Sequence, residues 1–323
     1  MKSSLKKISL LMLVLVLVLG LSACGQKNNE SAPAEKPAEK PAESTPAEKP
    51  AEKPEEPASK FDAENEITVI TREEGSGTRG AFVEITGVLS KDANGEEVDN
   101  TTVEAIVQNS TNNAMTGVNG DEFGIAYISL GSLNDTVKAL KVESVEATAE
   151  NVKSGEYKLA RPFNIAYKED NIGEIGEDLL KFIMSEEGQK IVEEKGYVSK
   201  GNEGKYEPSG LKGQITVAGS TSVTPLMEKI VEAYNVYNPD VQVDIQATGS
   251  SAGMTSAMEG TANLGMASRE LKDKEAAVLK SEVIAIDGIA VIVNNENPCE
   301  DLSMDKIRQI FVGEITEWSE VIK

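Results

Sequence analysis

The chain has 323 residues, with 54 acidic against 32 basic side chains, a formal net charge of −22, no histidine and two cysteines. Without histidine there can be no Ser-His-Asp or Cys-His nucleophile site and no His-ligated zinc or haem, and two cysteines cannot build a structural zinc or iron–sulfur centre. A chain this acidic is ill suited to nucleic acid, whose phosphates need a basic stripe, and 39% apolar content leaves part of it outside any core.

Lys2, Lys6 and Lys7 precede an apolar run over residues 8–21. The run is short for a spanning helix and has the form of a signal h-region. It ends in Leu21-Ser22-Ala23-Cys24-Gly25, which resembles the lipobox of bacterial lipoproteins. That resemblance implies cleavage before Cys24, diacylglycerol on its sulfur, and a chain held at the extracytoplasmic face of the cell membrane. An ordinary secretory signal with an incidental cysteine is the alternative. From Cys24 to residue 65 the composition is Pro/Glu/Lys-rich, and Ala-Glu-Lys-Pro recurs at 34–37, 38–41, 47–50 and 51–54. Proline at this spacing prevents a stable helix and there is little to bury, so the segment reads as a semi-extended tether. With Cys24 lipidated, Cys299 has no partner for an intramolecular disulfide and is expected to be a small residue beside a loop.

From Glu66 onward strand-like and helix-like runs alternate. Strands are expected at 67–71, 123–130, 137–142, 215–218, 241–247, 283–286 and 289–294. Helices are expected at 176–194, at 223–236 entered through Pro225, and at 303–311 with Ser303 as N-cap. Residues 195–213 are Gly- and Lys-rich without apolar period and read as a surface linker. This alternation argues α/β layers with largely parallel sheets, in two lobes.

Three glycine-rich polar turns each follow a strand and precede a helical pattern. They are Thr71 to Arg79, Gly219 to Pro225, and Thr248 to Gly253. Such turns offer free backbone N–H groups and hydroxyls to one point, which is the local chemistry of an anion seat. Taken singly, such a turn is usually just a helix cap, and it is the occurrence of three in one chain that points to a ligand. None has the lysine of a P-loop. Arg72 and Arg269 could add bidentate contacts to oxyanion oxygens. Ser303-Met304-Asp305-Lys306 spells Ser-x-x-Lys, which reads as an N-cap and first helical turn rather than a nucleophile. The pairs Glu73-Glu74 and Glu186-Glu187 read as solvated faces, and no EF-hand spacing occurs.

The stretches GQITVAGSTSVTPLMEKIVEAY, GSSAGMTSAMEG, LGMASRELKDKE, AIDGIAVIVNNENP and IRQIFVGEITEWSEV resemble the amino-terminal half of the phosphate-binding lipoproteins of bacterial phosphate ABC transporters. ITVITREEGSGTRGAFVEITGV, AYISLGSL and EEGQKIVEEKGYVSK resemble the carboxy-terminal half. The resemblance implies a two-lobe periplasmic-binding-protein type II fold with a hinge and an interlobe cleft. The order is reversed relative to the family, as in a circular permutation in which residues 199–213 join the old ends; a truncated tandem protein is the alternative. One lobe is expected from 66–160 plus 295–323 and the other from 161–294, with hinge crossings near Ala160-Arg161-Pro162 and Asn294-Asn295.

Carried over by motif, Arg72, Ser76, Gly77 and Thr78 line the anion from one lobe. Thr221, Ser222 with the Val223 amide, and Ser250 line it from the other. Glu74 is expected to orient Arg72. Arg269 stands where some members have an aspartate that accepts a proton from bound phosphate, a departure that favours more negative oxyanions. The resemblance implies a monomeric, non-enzymatic binder, with neither cofactor nor metal, that delivers inorganic phosphate to an ABC transporter permease. A binder of another oxyanion or of a phosphorylated metabolite, and a surface lipoprotein acting as adhesin or sensor, are the alternatives. An enzyme ranks last, for want of an acid–base constellation.

Overall fold

Strand and helix alternate through the computed structural model, which describes residues 61–322. The expected signal segment, Cys24 and most of the tether lie outside the described residues. In chain order the first part comprises β1 (Thr68–Arg72), α1 (Gly77–Thr86), the hairpin strands β2 (Leu89–Lys91) and β3 (Glu97–Asp99), β4 (Ile106–Gln108), α2 (Thr111–Asn119) and β5 (Gly124–Ser129). Two-residue strands β6 (Lys138–Ala139) and β7 (Lys141–Val142) and the short helix α3 (Ala149–Ser154) complete it. The second part runs β8 (Ala160–Tyr167), α4 (Gly173–Ile183), α5 (Glu186–Glu194), β9 (Val198–Ser199), β10 (Gly213–Gly219), α6 (Thr224–Tyr237), β11 (Val241–Ala247), α7 (Ser250–Glu259), β12 (Leu264–Ala267), α8 (Asp273–Ala276) and β13 (Lys280–Val293). The chain then returns to the first part with β14 (Asp301–Leu302) and α9 (Met304–Phe311).

One sheet runs through both parts in the order β11-β10-β12-β8-β13-β5-β1-β4. At each end stands a parallel triplet, β4-β1-β5 and β11-β10-β12, with the strand that comes first in the chain at its centre. Between them lie β8 and β13, antiparallel to each other and to their outer neighbours. Parallel strands need helical crossovers, and the inner strands β1, β5, β10 and β12 are buried through most of their length, whereas the outer strands β4 and β11 are largely open. The first half packs Phe82, Tyr127 and Phe311 together, with the Phe82 and Tyr127 rings stacked at 3.9 Å between centroids. Trp318 seals its end, fully buried and donating Nε1–H to the Phe123 carbonyl at 3.0 Å. The second half builds its core from α4, α5 and α6 around Phe163, Phe182 and Tyr234.

Five expectations are corrected by packing that periodicity does not report. Residues 176–194 form two helices, because Ser185 caps α5 by accepting from the Gly188 N–H at 3.2 Å. A Cβ on Gly188 would collide with the Phe182 and Ile183 carbonyls, so the turn closes only with glycine there. The apolar stripe continues across this break because both helices face one core. Residues 137–142 are two short strands parted at Leu140, whose N–H turns to Val291 O at 2.8 Å. Residues 283–286 and 289–294 belong to a single long strand, with the apparent polar interruption at Asp287 buried inside it.

The expected linker 195–213 is anchored: β9 pairs with β13, and Tyr206 is buried with its hydroxyl donating to Asp178 Oδ2 at 2.6 Å. Two isolated tyrosines, Tyr197 and Tyr206, do this work without any period. The expected crossing at Asn294-Asn295 also lies elsewhere. β13 pairs with β8 as far as Gly288 and with β5 from Ile289, and Ile289, Val291 and Val293 pack in the first core. Cys299 is buried and free, its thiol pushed up by burial, as expected of a small packing residue. Among the described residues no helix is long and apolar enough to cross a membrane.

Candidate anion-binding site

Four parallel strands each run directly into a helix: β1 into α1, β4 into α2, β10 into α6 and β11 into α7. Carboxy ends of parallel strands share an edge, so in each half two helix starts meet, with their unsatisfied N–H groups and positive dipole ends. The middle of the sheet brings the two sets face to face.

The contact between them is a chain of buried hydroxyls. Thr78 Oγ1 lies 2.9 Å from Ser222 Oγ, and Ser222 Oγ lies 3.0 Å from Thr111 Oγ1. Arg72, 1% exposed, donates Nη1–H to Thr111 Oγ1 at 3.2 Å and Nη2–H to Thr221 Oγ1 at 3.0 Å. Beside them Ser220 Oγ donates to Ser268 Oγ at 2.9 Å, and the Ser268 N–H donates to Ser250 Oγ at 3.2 Å. Gly77 faces this second group so closely that a Cβ would strike Ser250 Oγ and stand 2.7 Å from Ser268 Oγ. Ser76 caps α1, its Oγ accepting from the Arg79 N–H at 3.3 Å. Hydroxyls both donate and accept, and a guanidinium only donates. The arrangement is therefore suited to a small anion with several oxygens.

Supporting contacts fix Arg72 from behind. Its backbone N–H donates to the Tyr127 hydroxyl at 3.2 Å, which also lies 2.7 Å from Thr71 Oγ1. Burial pushes the Tyr127 hydroxyl up, so it stays protonated. Arg79 Nη1–H donates to the Arg72 carbonyl at 2.8 Å, and Arg79 Nε–H to Asp99 at 2.8 Å.

Arg72, Ser76, Gly77, Thr78, Thr221, Ser222 and Ser250 are thus brought together, and three expected members are not. The carboxylate that holds Arg72 is Glu73, bidentate at 2.8 and 2.9 Å, because Glu73 continues the β1 ladder by donating its N–H to Gln108 O. Glu74 makes no contact with Arg72 and instead lines an adjoining cavity of about 600 Å³ together with Ser76, Arg79, Ser251 and Arg269. The Val223 N–H is engaged within its own turn, donating to Ser220 O at 3.2 Å and Ser220 Oγ at 3.3 Å. Arg269 is held outside the hydroxyl run: it pairs bidentately with Glu275 at 2.7 and 2.8 Å, donates to Glu270 O at 2.8 Å and reaches Ser251 Oγ at 3.3 Å.

Thr111, Ser220 and Ser268 were missed by sequence reasoning. Asn109-Ser110-Thr111 is a fourth strand-to-helix turn, unmarked by glycine, and its only signal is the polar trio after Ile106-Val107. Ser303 caps α9 by accepting from the Lys306 N–H at 3.2 Å, so the Ser-x-x-Lys run is structural. Among the described residues no group of His, Cys, Asp or Glu could hold a metal ion.

Burial raises the Glu275 carboxyl, but hydrogen bonds from Arg269 and from the Lys272 amide outweigh it and hold the group below its ordinary value. A depressed carboxyl stabilises the fold above its unfolded pKa, and that gain is lost as pH falls through the folded value. Glu275→Gln is accordingly expected to melt roughly 5 °C below the parent at pH 7. The gap should close in melts taken below the ordinary glutamate range; a gap that stays constant with pH would mean the pair does not set it.

The PBP superfamily domain matches residues 55–187 and 205–323. The phosphate-binding protein PstS 2 of Streptococcus agalactiae is 47% identical over 266 residues, 82% of this chain and 91% of that protein. The phosphate-binding protein PstS of Bacillus subtilis is 32% identical over 112 residues, 34% of this chain and 37% of that protein. A crystal structure of a phosphate ABC transporter phosphate-binding protein from Streptococcus pneumoniae superposes with a TM-score of 0.64 at 46% identity, covering 80% of this chain and all of that one. With its doubled parallel triplets and this extent of identity, the chain belongs to the PBP superfamily, in the family of the streptococcal phosphate-binding PstS proteins.

Proposed function

We propose that this protein captures inorganic phosphate between the two halves of its sheet and hands it to an ABC transporter permease. The observation that carries the reading is the run Thr78–Ser222–Thr111–Arg72–Thr221, which crosses between the halves three times and includes the buried Arg72 guanidinium. The names of its streptococcal relatives agree with it. An oxyanion seated there would exchange hydroxyl-to-hydroxyl contacts for charge-assisted ones of about 1.5–3 kcal/mol each. Micromolar affinity needs about −8 kcal/mol, within reach of three or four such donors after ordering costs. The net charge of −22 opposes the ligand, but salt screens exposed charges over roughly 8 Å.

Because the donors come from both halves, a bound anion ties the halves together, and the closed form is what a permease would read. The order of segments supports a circular permutation. The streptococcal relative aligns along nearly its whole length, whereas the Bacillus relative aligns over about a third, as expected where the same segments are differently joined. One lobe then comprises 66–160 with 289–323, and the other 161–288. Anchoring through lipidated Cys24 on the extracytoplasmic face, and action as a monomer, complete the proposal.

A second reading, capture of another tetrahedral oxyanion, is favoured by one observation. Glu73 is the carboxylate against the donors and it is occupied by Arg72, while the Arg269 position supplies no acid. Calorimetry with phosphate, sulfate and molybdate separates the readings: heat with phosphate alone supports the first, equal affinities the second, and silence with all three overturns both in favour of an adhesin or sensor. Thr111→Val keeps the shape but removes the hydroxyl shared by Arg72 and Ser222. It is expected to weaken phosphate binding about tenfold, since one hydrogen bond to a charged group is worth about 1.5 kcal/mol. An unchanged titration would take Thr111 out of the site.

A further inference from the structure

Where the two halves of the sheet join, β13 passes from β8 to β5, and at that point two opposite charges are buried. Asp287 on β13 sits across from Arg161 on β8. Arg161 Nη2–H donates to Asp287 Oδ2 at 3.0 Å and Nε–H to the same oxygen at 3.3 Å, while Ser129 at the end of β5 donates to Oδ1 at 3.0 Å. One carboxylate therefore binds three strands, two of them the strands that cross between the cores.

Fold stability does not account for this pair. Burial pushes the Asp287 carboxyl up to about 6 despite Arg161, Ser129 and the Gly131 amide, so holding it ionised costs more inside than in water. Burial likewise pushes the Arg161 guanidinium down, against the pull of Asp287. Beside the carboxylate Arg161 Nη1 and Tyr197 Oη are buried without a protein partner. Tyr197 packs so closely on Gly131, whose amide hydrogen-bonds Asp287, that a Cβ there would collide with its ring. Unsatisfied buried polar atoms are rare, and two beside one buried carboxylate mark a joint selected for something other than tight closure.

What the joint touches indicates what it sets. Two residues before Ser129 on β5, Tyr127 holds the Arg72 backbone. Three residues after Arg161 on β8, Asn164 donates to the Arg269 carbonyl at 2.9 Å, next to Ser268. We propose that Arg161 and Asp287 are positioning residues, which touch no ligand but fix the angle at which the two sets of anion donors meet. The inference rests on the phosphate reading of the hydroxyl cluster.

The test is phosphate titration of the wild type and of Asp287→Asn from pH 5 to 8. At pH 7.5 the variant is expected to bind at least tenfold more weakly. The difference should disappear as pH falls through about 6, where the wild-type carboxyl takes up its own proton and Arg161 loses its counter-ion in both proteins. The ligand's own ionisation is common to both and cancels. Equal affinity at pH 7.5, or a difference that does not change with pH, overturns the proposal. Should Asp287→Asn fail to fold, Ser129→Ala removes only the link to β5, and affinity within twofold of wild type then overturns it. A wild type that binds no phosphate overturns the reading of the site and this inference together. A wild type that binds, with variants indistinguishable from it, overturns this inference alone.

Discussion

Arg72→Ala is expected to weaken phosphate binding by at least a hundredfold in calorimetric titration. Arg72 supplies the formal positive charge of the hydroxyl cluster, and its two η nitrogens each reach a hydroxyl, one from each half of the molecule. Two charge-assisted bonds at about 1.5–3 kcal/mol each amount to two decades or more. The loss has a second part. Glu73 is paired bidentately to this guanidinium, and without it a carboxylate faces the incoming anion. Like charges at contact distance in a site of intermediate dielectric repel by about 4 kcal/mol at most. The double variant Arg72→Ala with Glu73→Gln should therefore bind better than Arg72→Ala alone, a sign that simple loss of a donor does not produce. Arg72→Lys should fall between, because an ammonium keeps the charge without the fork that spans Thr111 and Thr221. Affinity of Arg72→Ala within threefold of wild type would place the anion elsewhere.

The sequence made some of this legible and not the rest, for physical reasons. Turns that carry glycine between a β-branched run and a helical period announced themselves, and Arg72, Ser76, Gly77, Thr78, Ser222 and Ser250 all sit in such turns and do converge. Thr111 was invisible because its turn needs no glycine and β4 is only three residues long. The choice between Glu73 and Glu74 depends on which of two adjacent residues still follows the strand's alternation, and that is fixed by a single bond from the Glu73 N–H to Gln108 O. Arg269 read as a ligand because a free arginine beside a serine turn looks like one. Its partner Glu275 is six residues on, in a four-residue helix that no period could reveal. In the fold, strands and helices with one buried face were read nearly in place. The break at Ser185 and the anchoring of Tyr206 depend on what lies across the core. The joint at Asp287 was hidden for the same reason: a charged residue in an apolar run looks like the end of a strand until its counter-ion is found 126 residues away.

Gly77→Ala tests the convergence of the halves without touching any donor. Gly77 opens α1 and its backbone is helical, so alanine there is acceptable to the main chain and improves helix propensity by about 0.5–1 kcal/mol. Any loss must come from space. The added methyl would collide with Ser250 Oγ and lie 2.7 Å from Ser268 Oγ, both belonging to the other half. Neither hydroxyl is free to swing aside, because Ser250 Oγ accepts from the Ser268 N–H and Ser268 Oγ accepts from Ser220. The halves must part by on the order of 1 Å to restore van der Waals separation. Such a shift breaks the Thr78–Ser222 and Thr111–Ser222 contacts at 2.9 and 3.0 Å, and with them the shared seat for the anion. Phosphate affinity is expected to fall at least a hundredfold, while each core keeps its own packing and circular dichroism stays that of the parent. Gly80→Ala, on the same helix, supplies the control: its Cβ would stand 3.6 Å from Arg269 Cδ, an ordinary contact, and binding should be unchanged. If Gly77→Ala binds phosphate as tightly as Gly80→Ala, the two halves do not close on the ligand at this point, and the hydroxyl run between them is a packing contact rather than a seat.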